Sequence, residues 1–240
     1  MYKIENKPIT TETKIADIVF DNPYSVIMLE HFGIELPFYE KTVGEICEEK
    51  HISQALFFTF ANLYNNVPYS FNDSFTFTEI NTIIPYLKKS HLYYSDEIYP
   101  KITRIIQQLN PLKNQTGSEM VSKFFNEYFN EVMEHLDYEN DIVFPYIMEM
   151  FKVITGETQR FNQNNYSVDE YQEHHNDIEE KLDDLKNLLI RYLPQENDQA
   201  IRRELLLSLF QLDHDIKIHA QIEEMILIPL VSQMEKKLKK

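Results

Sequence analysis

Apolar residues recur at three- and four-residue intervals over four long stretches of the chain, roughly 78–109, 118–151, 168–192 and 198–237. That period lines one face of a helix, so each stretch predicts a long amphipathic helix. The stretches are parted by "NPLKNQTGS", "ITGETQRFNQNNYS" and "PQENDQ", all rich in turn formers. The third opens at "SVDE", where Ser167 and Glu170 have the spacing of a capping box. No stretch alternates for long in the manner of a strand. Long helices joined by short loops predict an all-α fold, an up-down four-helix bundle over residues 78–240.

Upstream the apolar runs are shorter. "TKIADIVFDNPYSVIMLEHFGIELPFYEKTVGEICEEKHIS" holds three short amphipathic stretches, punctuated by Asn22-Pro23, Gly33 and Pro37. It predicts a small helical domain over residues 1–60. The segment "NLYNNVPYSFNDSF", rich in Asn, Ser and Pro, then predicts a linker over 61–77.

Composition narrows the partners. The chain has 240 residues, 43% of them apolar, enough for one sizeable core with a small appended module. Its formal net charge is -16, so phosphate backbones and anionic membrane surfaces are repelled. The basic run "KKLKK" at the C-terminus is a solvated helix end that complements the helix dipole. The polar start "MYKIENKPITTETK" does not read as a signal peptide, and no apolar run approaches the ~18 residues that span a bilayer. Cys47 stands alone, which excludes an internal disulfide framework or an all-cysteine metal site. The expectation is a cytoplasmic protein that binds neither nucleic acid nor membrane.

Candidate chemistry lies in the histidines. The pattern H-x3-E occurs at His31/Glu35, His135/Glu139, His175/Glu179 and His219/Glu223, and in so acidic a chain one or two such hits arise by composition. The distances between hits say more. His91 precedes His135 by 44 residues, and His175 precedes His219 by 44. "HLDYENDIVFP" and "HAQIEEMILIP" each carry Glu at +4 and Pro at +10. One shift of 84 residues therefore maps His91, His135, Glu139 and Pro145 onto His175, His219, Glu223 and Pro229.

Residues four apart share a helix face, one turn apart along the axis. His135 with Glu139, and His219 with Glu223, can thus point inward from two helices, while His91 and His175 add one imidazole each from the other two. Four imidazoles and two carboxylates converging in a bundle make a carboxylate-bridged dinuclear metal site. If both carboxylates bridge, each metal receives two nitrogens and two oxygens, and a solvent bridge leaves one position open. Mixed N/O donors without thiolate suit iron, with manganese or zinc as alternatives.

Other residues are set aside. His174 lies about 100° around the helix from His175 and is expected in solvent. His214 has no counterpart in the first copy and is expected at the surface. Glu179 matches Ser95 and reads as solvated; Glu224 matches Asn140 and is a fallback ligand. Tyr138 is either a core residue or a partner of the ligands. Pro145 and Pro229 are expected to kink or end the ligand helices just beyond the site.

The duplicated "H…HxxxE…P" constellation over about 78–235 resembles the hemerythrin-like, HHE cation-binding domain. The N-terminal stretch, through "NP", "FGIE" and "TVGEICEEKHI", resembles the small N-terminal domain of the RIC (repair of iron centres) family. The resemblance implies two non-haem iron ions on His91, His135, Glu139, His175, His219 and Glu223. It also implies reactivity with oxygen or nitric oxide and a role in restoring iron–sulfur clusters after oxidative or nitrosative damage. In that family two adjacent cysteines follow the segment matched by "GIELPFYE"; here Pro37 and Phe38 stand in their place. Cys47, in a predicted helix, reads as a small buried residue.

Three functions follow as expectations: cluster repair by a redox-active di-iron protein; binding or sensing of oxygen or nitric oxide, reported to a protein partner through the N-terminal domain; or a structural bundle holding zinc or no metal.

Overall fold

A computed structural model describes residues 8–67, 75–109, 115–158, 167–174, 178–192 and 198–239, without the side chains of 115–118, 172–174 and 178–180. The described residues form an all-α helical bundle with four short helices before it.

The short helices are α1 (Ile15–Asp21), α2 (Ser25–His31), α3 (Val43–Lys50) and α4 (Gln54–Tyr64). Local chemistry sets their ends. Thr42 and Glu45 close a capping box at the start of α3, and Ser53 Oγ accepts from the Leu56 amide to start α4. Gly33, at φ +73°, turns the chain after α2, a conformation that costs glycine little. Because α4 runs to Tyr64, the expected linker begins inside a helix; residues 68–74 lie outside the described ones.

The four long helical runs match the apolar periodicity closely. The first joins α5 (Ile80–Leu92) to α6 (Tyr99–Leu109), and the second joins α7 (Gln115–Tyr138) to α8 (Phe144–Ile154). The third comprises α9 (Val168–His174) and α10 (Ile178–Asn187), and the fourth α11 (Gln199–Ile222) and α12 (Ile228–Leu238). Ser167 Oγ accepts from the Glu170 amide at 3.5 Å at the start of α9, as the "SVDE" spacing predicts.

Contacts divide the chain into two compact units. The first is Met1–Lys89, Met148–Asn162 and Ile218–Lys240. Within it the short helices pack on α5: Tyr86 meets Phe32 and Phe60 edge-on, each at 4.7 Å between centroids, and its hydroxyl donates to Tyr64 Oη. The N-terminal helices therefore share a core with the start of the bundle. The second unit is Ser90–Ile147 and Gln163–Lys217. Its core interleaves Ile102, Ile105, Ile106, Phe125, Tyr128, Leu182, Leu185, Leu205 and Leu209.

Of the two outcomes expected at the prolines, a kink or an end, the end is not found. Pro145 and Pro229 neither end nor break their helical runs. Each is preceded by one wider, π-helical turn, Glu139–Val143 and Glu223–Leu227. A third such turn, Tyr93–Ile98, precedes Pro100, and a fourth, Leu188–Tyr192, ends two residues before Pro194. Proline lacks the N–H for the carbonyl four residues back and clashes with it. Opening that one turn moves the carbonyl aside, so the helix continues past Pro100, Pro145 and Pro229.

Candidate metal centre

His91 sits in the last turn of α5 and is 3% exposed. Its Nε2 faces Glu139 Oε2 at 3.3 Å, and its Nδ1 lies 3.2 Å from Asn140 Oδ1. The Phe144 ring stacks on the imidazole at 5.5 Å between centroids. Asn140 is thus an acceptor for an Nδ1–H, which in a neutral imidazole leaves Nε2 as a lone pair aimed at the carboxylate.

His135, on α7, reaches the same carboxylate from the opposite oxygen, Nε2 to Oε1 at 3.3 Å. Glu139 is fully buried, and Tyr171 of α9 donates its hydroxyl to Oε1 at 3.2 Å. The pair repeats at the end of α11, where His219 Nε2 lies 3.4 Å from Oε1 of Glu223, the fully buried residue that follows the helix. Both glutamates open a π-helical turn, so the widened turn falls at the same place in both copies of the repeat. Such turns recur at functional sites, because they re-aim side chains without ending the helix.

Donor atoms of His91, Glu139 and His219 lie within 4.8 Å of one another, and so do those of His135, Glu139 and Glu223. Two three-donor groups sharing one carboxylate form a cluster that could hold metal. The spacing fits: two ligands on one cation, each bonded at about 2.1 Å, stand roughly 3 Å apart. A neutral imidazole lone pair facing a carboxylate oxygen at 3.3 Å also repels it, unless a proton or a cation lies between them.

Five of the six candidate ligands, His91, His135, Glu139, His219 and Glu223, therefore meet in these groups. The sixth, His175, lies outside the described residues, as do the side chains of His174 and Glu179. Glu224 is exposed, so the adjacent Glu223 takes the inward position. His214 departs from expectation: it is half-buried, with Nε2 inside the protein, because α11 turns that face toward the core.

Two functional residues were missed. Tyr171 holds the ligand carboxylate, and Asn140 orients His91. Neither falls under the repeat, since one shift of 84 places Leu87 opposite Tyr171 and Glu224 opposite Asn140. Tyr171 could have been found as the residue one helical turn before His175.

No described helix is long and apolar enough to cross a membrane. A comparison with protein families matches residues 100–231 to the hemerythrin HHE cation binding domain. Searches of curated proteins and of solved structures returned no match.

Proposed function

Because this chain belongs to the hemerythrin HHE cation-binding family, we propose that it is a cytoplasmic non-haem di-iron protein serving iron–sulfur cluster repair or the response to oxidative and nitrosative stress. The observation that carries the reading is the shared carboxylate: Glu139 belongs to both three-donor groups. His91, His135, Glu139, His175, His219 and Glu223 hold the two ions. The ions, when bound, supply electron transfer and an open coordination position for a small diatomic ligand. The chain's own residues do the positioning. Asn140 and Phe144 hold the His91 ring, Tyr171 holds Glu139, and the surrounding core limits the access of water.

A second reading, oxygen or nitric oxide sensing without repair, is favoured by the thiol inventory. Pro37 and Phe38 leave no vicinal pair, and Cys47 is 2% exposed with burial pushing its thiol up to about 11. A thiol held protonated is a poor nucleophile, so exchange chemistry on this chain is disfavoured. In this reading the N-terminal helices carry the signal to a protein partner.

Metal analysis with a visible spectrum, on protein grown in iron-rich medium, tests both readings. About two irons per chain with oxo-bridge-like absorption is the expected result; persistent zinc, or no metal, sinks both. Reactivation of a damaged iron–sulfur enzyme then separates them. Repair predicts recovery, whereas sensing predicts reversible spectral change with oxygen or nitric oxide and no recovery.

A further inference from the structure

We propose that Tyr94, with Asp215 as its proton acceptor, is a redox-active tyrosine that feeds electrons one at a time from the protein surface to the metal ligands. The proposal rests on the di-iron reading and adds a reductive route to it.

The end of α11 and the turn that follows it carry a polar residue at every fourth position: Gln211, Asp215, His219 and Glu223. Neighbours at this spacing lie one turn apart on adjoining parts of one face. The last two belong to the candidate metal centre. The first two pair with the run that carries His91. Tyr94 Oη donates to Asp215 Oδ2 at 2.8 Å, and Gln211 Nε2 donates to Tyr93 Oη at 2.7 Å. Tyr94 and Asp215 are each 1% exposed, whereas Tyr93 is half-buried. The two tyrosine rings lie 5.8 Å apart between centroids. Tyr94 follows His91 by three residues and Asp215 precedes His219 by four, so the buried pair adjoins a ligand on both helices.

The duplicated half shows that this is not a habit of the repeat. The position equivalent to Asp215 is Glu131, four before His135. Its carboxylate is 51% exposed and ion-pairs with Lys181. One copy keeps the carboxylate at the surface; the other has taken it inside against a phenol, where desolvation is costly unless the hydrogen bond is made.

A buried phenol that loses an electron must also lose its proton, since an unpaired positive charge in the interior is prohibitive. Asp215 is within proton-transfer reach. In the forward step Tyr94 gives one electron toward the ligand cluster, its O–H bond breaks, and Asp215 becomes a neutral acid. In the return step Tyr93 gives one electron to Tyr94, Asp215 gives the proton back, and Tyr93 releases its own proton to water. An external one-electron donor of the ascorbate class then restores Tyr93 with a proton from water. Hydrogen peroxide is the oxidant: two such electrons and two protons convert it to two waters.

The test mixes iron-loaded protein with hydrogen peroxide, freeze-quenches it, and reads electron paramagnetic resonance beside the bound iron of each sample. The chain has no tryptophan, so an aromatic radical is a tyrosyl. The expected result is a tyrosyl signal that Tyr94→Phe abolishes while keeping its iron. Tyr93→Phe should prolong the signal, Asp215→Asn lower its yield, and Glu131→Gln leave it unchanged. A tyrosyl signal undiminished in Tyr94→Phe, or none from protein with iron bound, overturns the proposal and leaves the di-iron reading standing. Failure of the wild type to bind iron overturns both.

Discussion

Glu139 concentrates the chemistry of the centre: fully buried, approached by two imidazoles and a phenol, and common to both donor groups. A buried carboxylate in such company is held by charge-assisted hydrogen bonds or by a cation; otherwise its desolvation would be expensive. Glu139→Ala and Glu223→Ala are each expected to reduce bound metal to near zero, whereas Glu179→Ala keeps the wild-type content. Metal analysis of the three purified variants decides it, and equal loss from Glu179→Ala would mean that the ligands are misassigned. At this scale the sequence was informative only where residues repeat. His91, His135, Glu139, His219 and Glu223 stood out through their common spacing, and five donors do come together. Tyr171 and Asn140 have Leu87 and Glu224 as their counterparts in the other copy, so they leave no echo there.

The π-helical turns belong to the scale of the element. Glu139–Val143 and Glu223–Leu227 each begin on a ligand and end two residues before a proline. The proline removes one backbone donor, and the widened turn accommodates the carbonyl left behind while turning the glutamate inward. Ile142 is 46% exposed within the first of these turns. Deleting it should let the ladder close to ordinary α-helix, so far-UV circular dichroism stays near wild type while bound metal falls; retained metal would show that the turn does not aim Glu139.

A second element-scale feature clamps α10 to α11. Lys186 Nζ contacts Asp183 at 2.6 Å and Asp213 at 2.7 Å, and Lys217 Nζ lies 3.0 Å from Asp213. The hydrogen bond from Lys186 holds the Asp183 carboxyl below its usual range. A lowered folded-state pKa contributes stability that is present above the unfolded-state value near 3.8 and is lost as pH falls through the folded-state value. Asp183→Asn should therefore be less stable than the wild type at neutral pH, and the difference should shrink in acid. Urea midpoints measured across that range check this. A gap that persists at the acid end would show packing, not charge, as the cause.

At the scale of the whole molecule, the N-terminal helices are not a bead on a string. Phe60 is fully buried and packs on Tyr86 of α5, so both belong to one core. Phe60→Ala should cost about 3–5 kcal/mol and lower a single unfolding transition; separate melting of the N-terminal helices would contradict a shared core. Periodicity alone determined the all-α class and the spans of the four long runs, because a buried helical face must repeat with the helix. Spacing alone determined which histidines and glutamates to bring together, because residues one turn apart share a face wherever the helix lies. The net charge likewise followed from counting residues. Tertiary structure decided what counting cannot reach. It took Asp215 inside and left its repeat partner Glu131 at the surface, and it brought Tyr171 to the ligand carboxylate. It carried the helices through their prolines and joined the short helices to the bundle. Burial and pairing depend on which neighbouring helix faces a residue, and that information is spread over the whole chain.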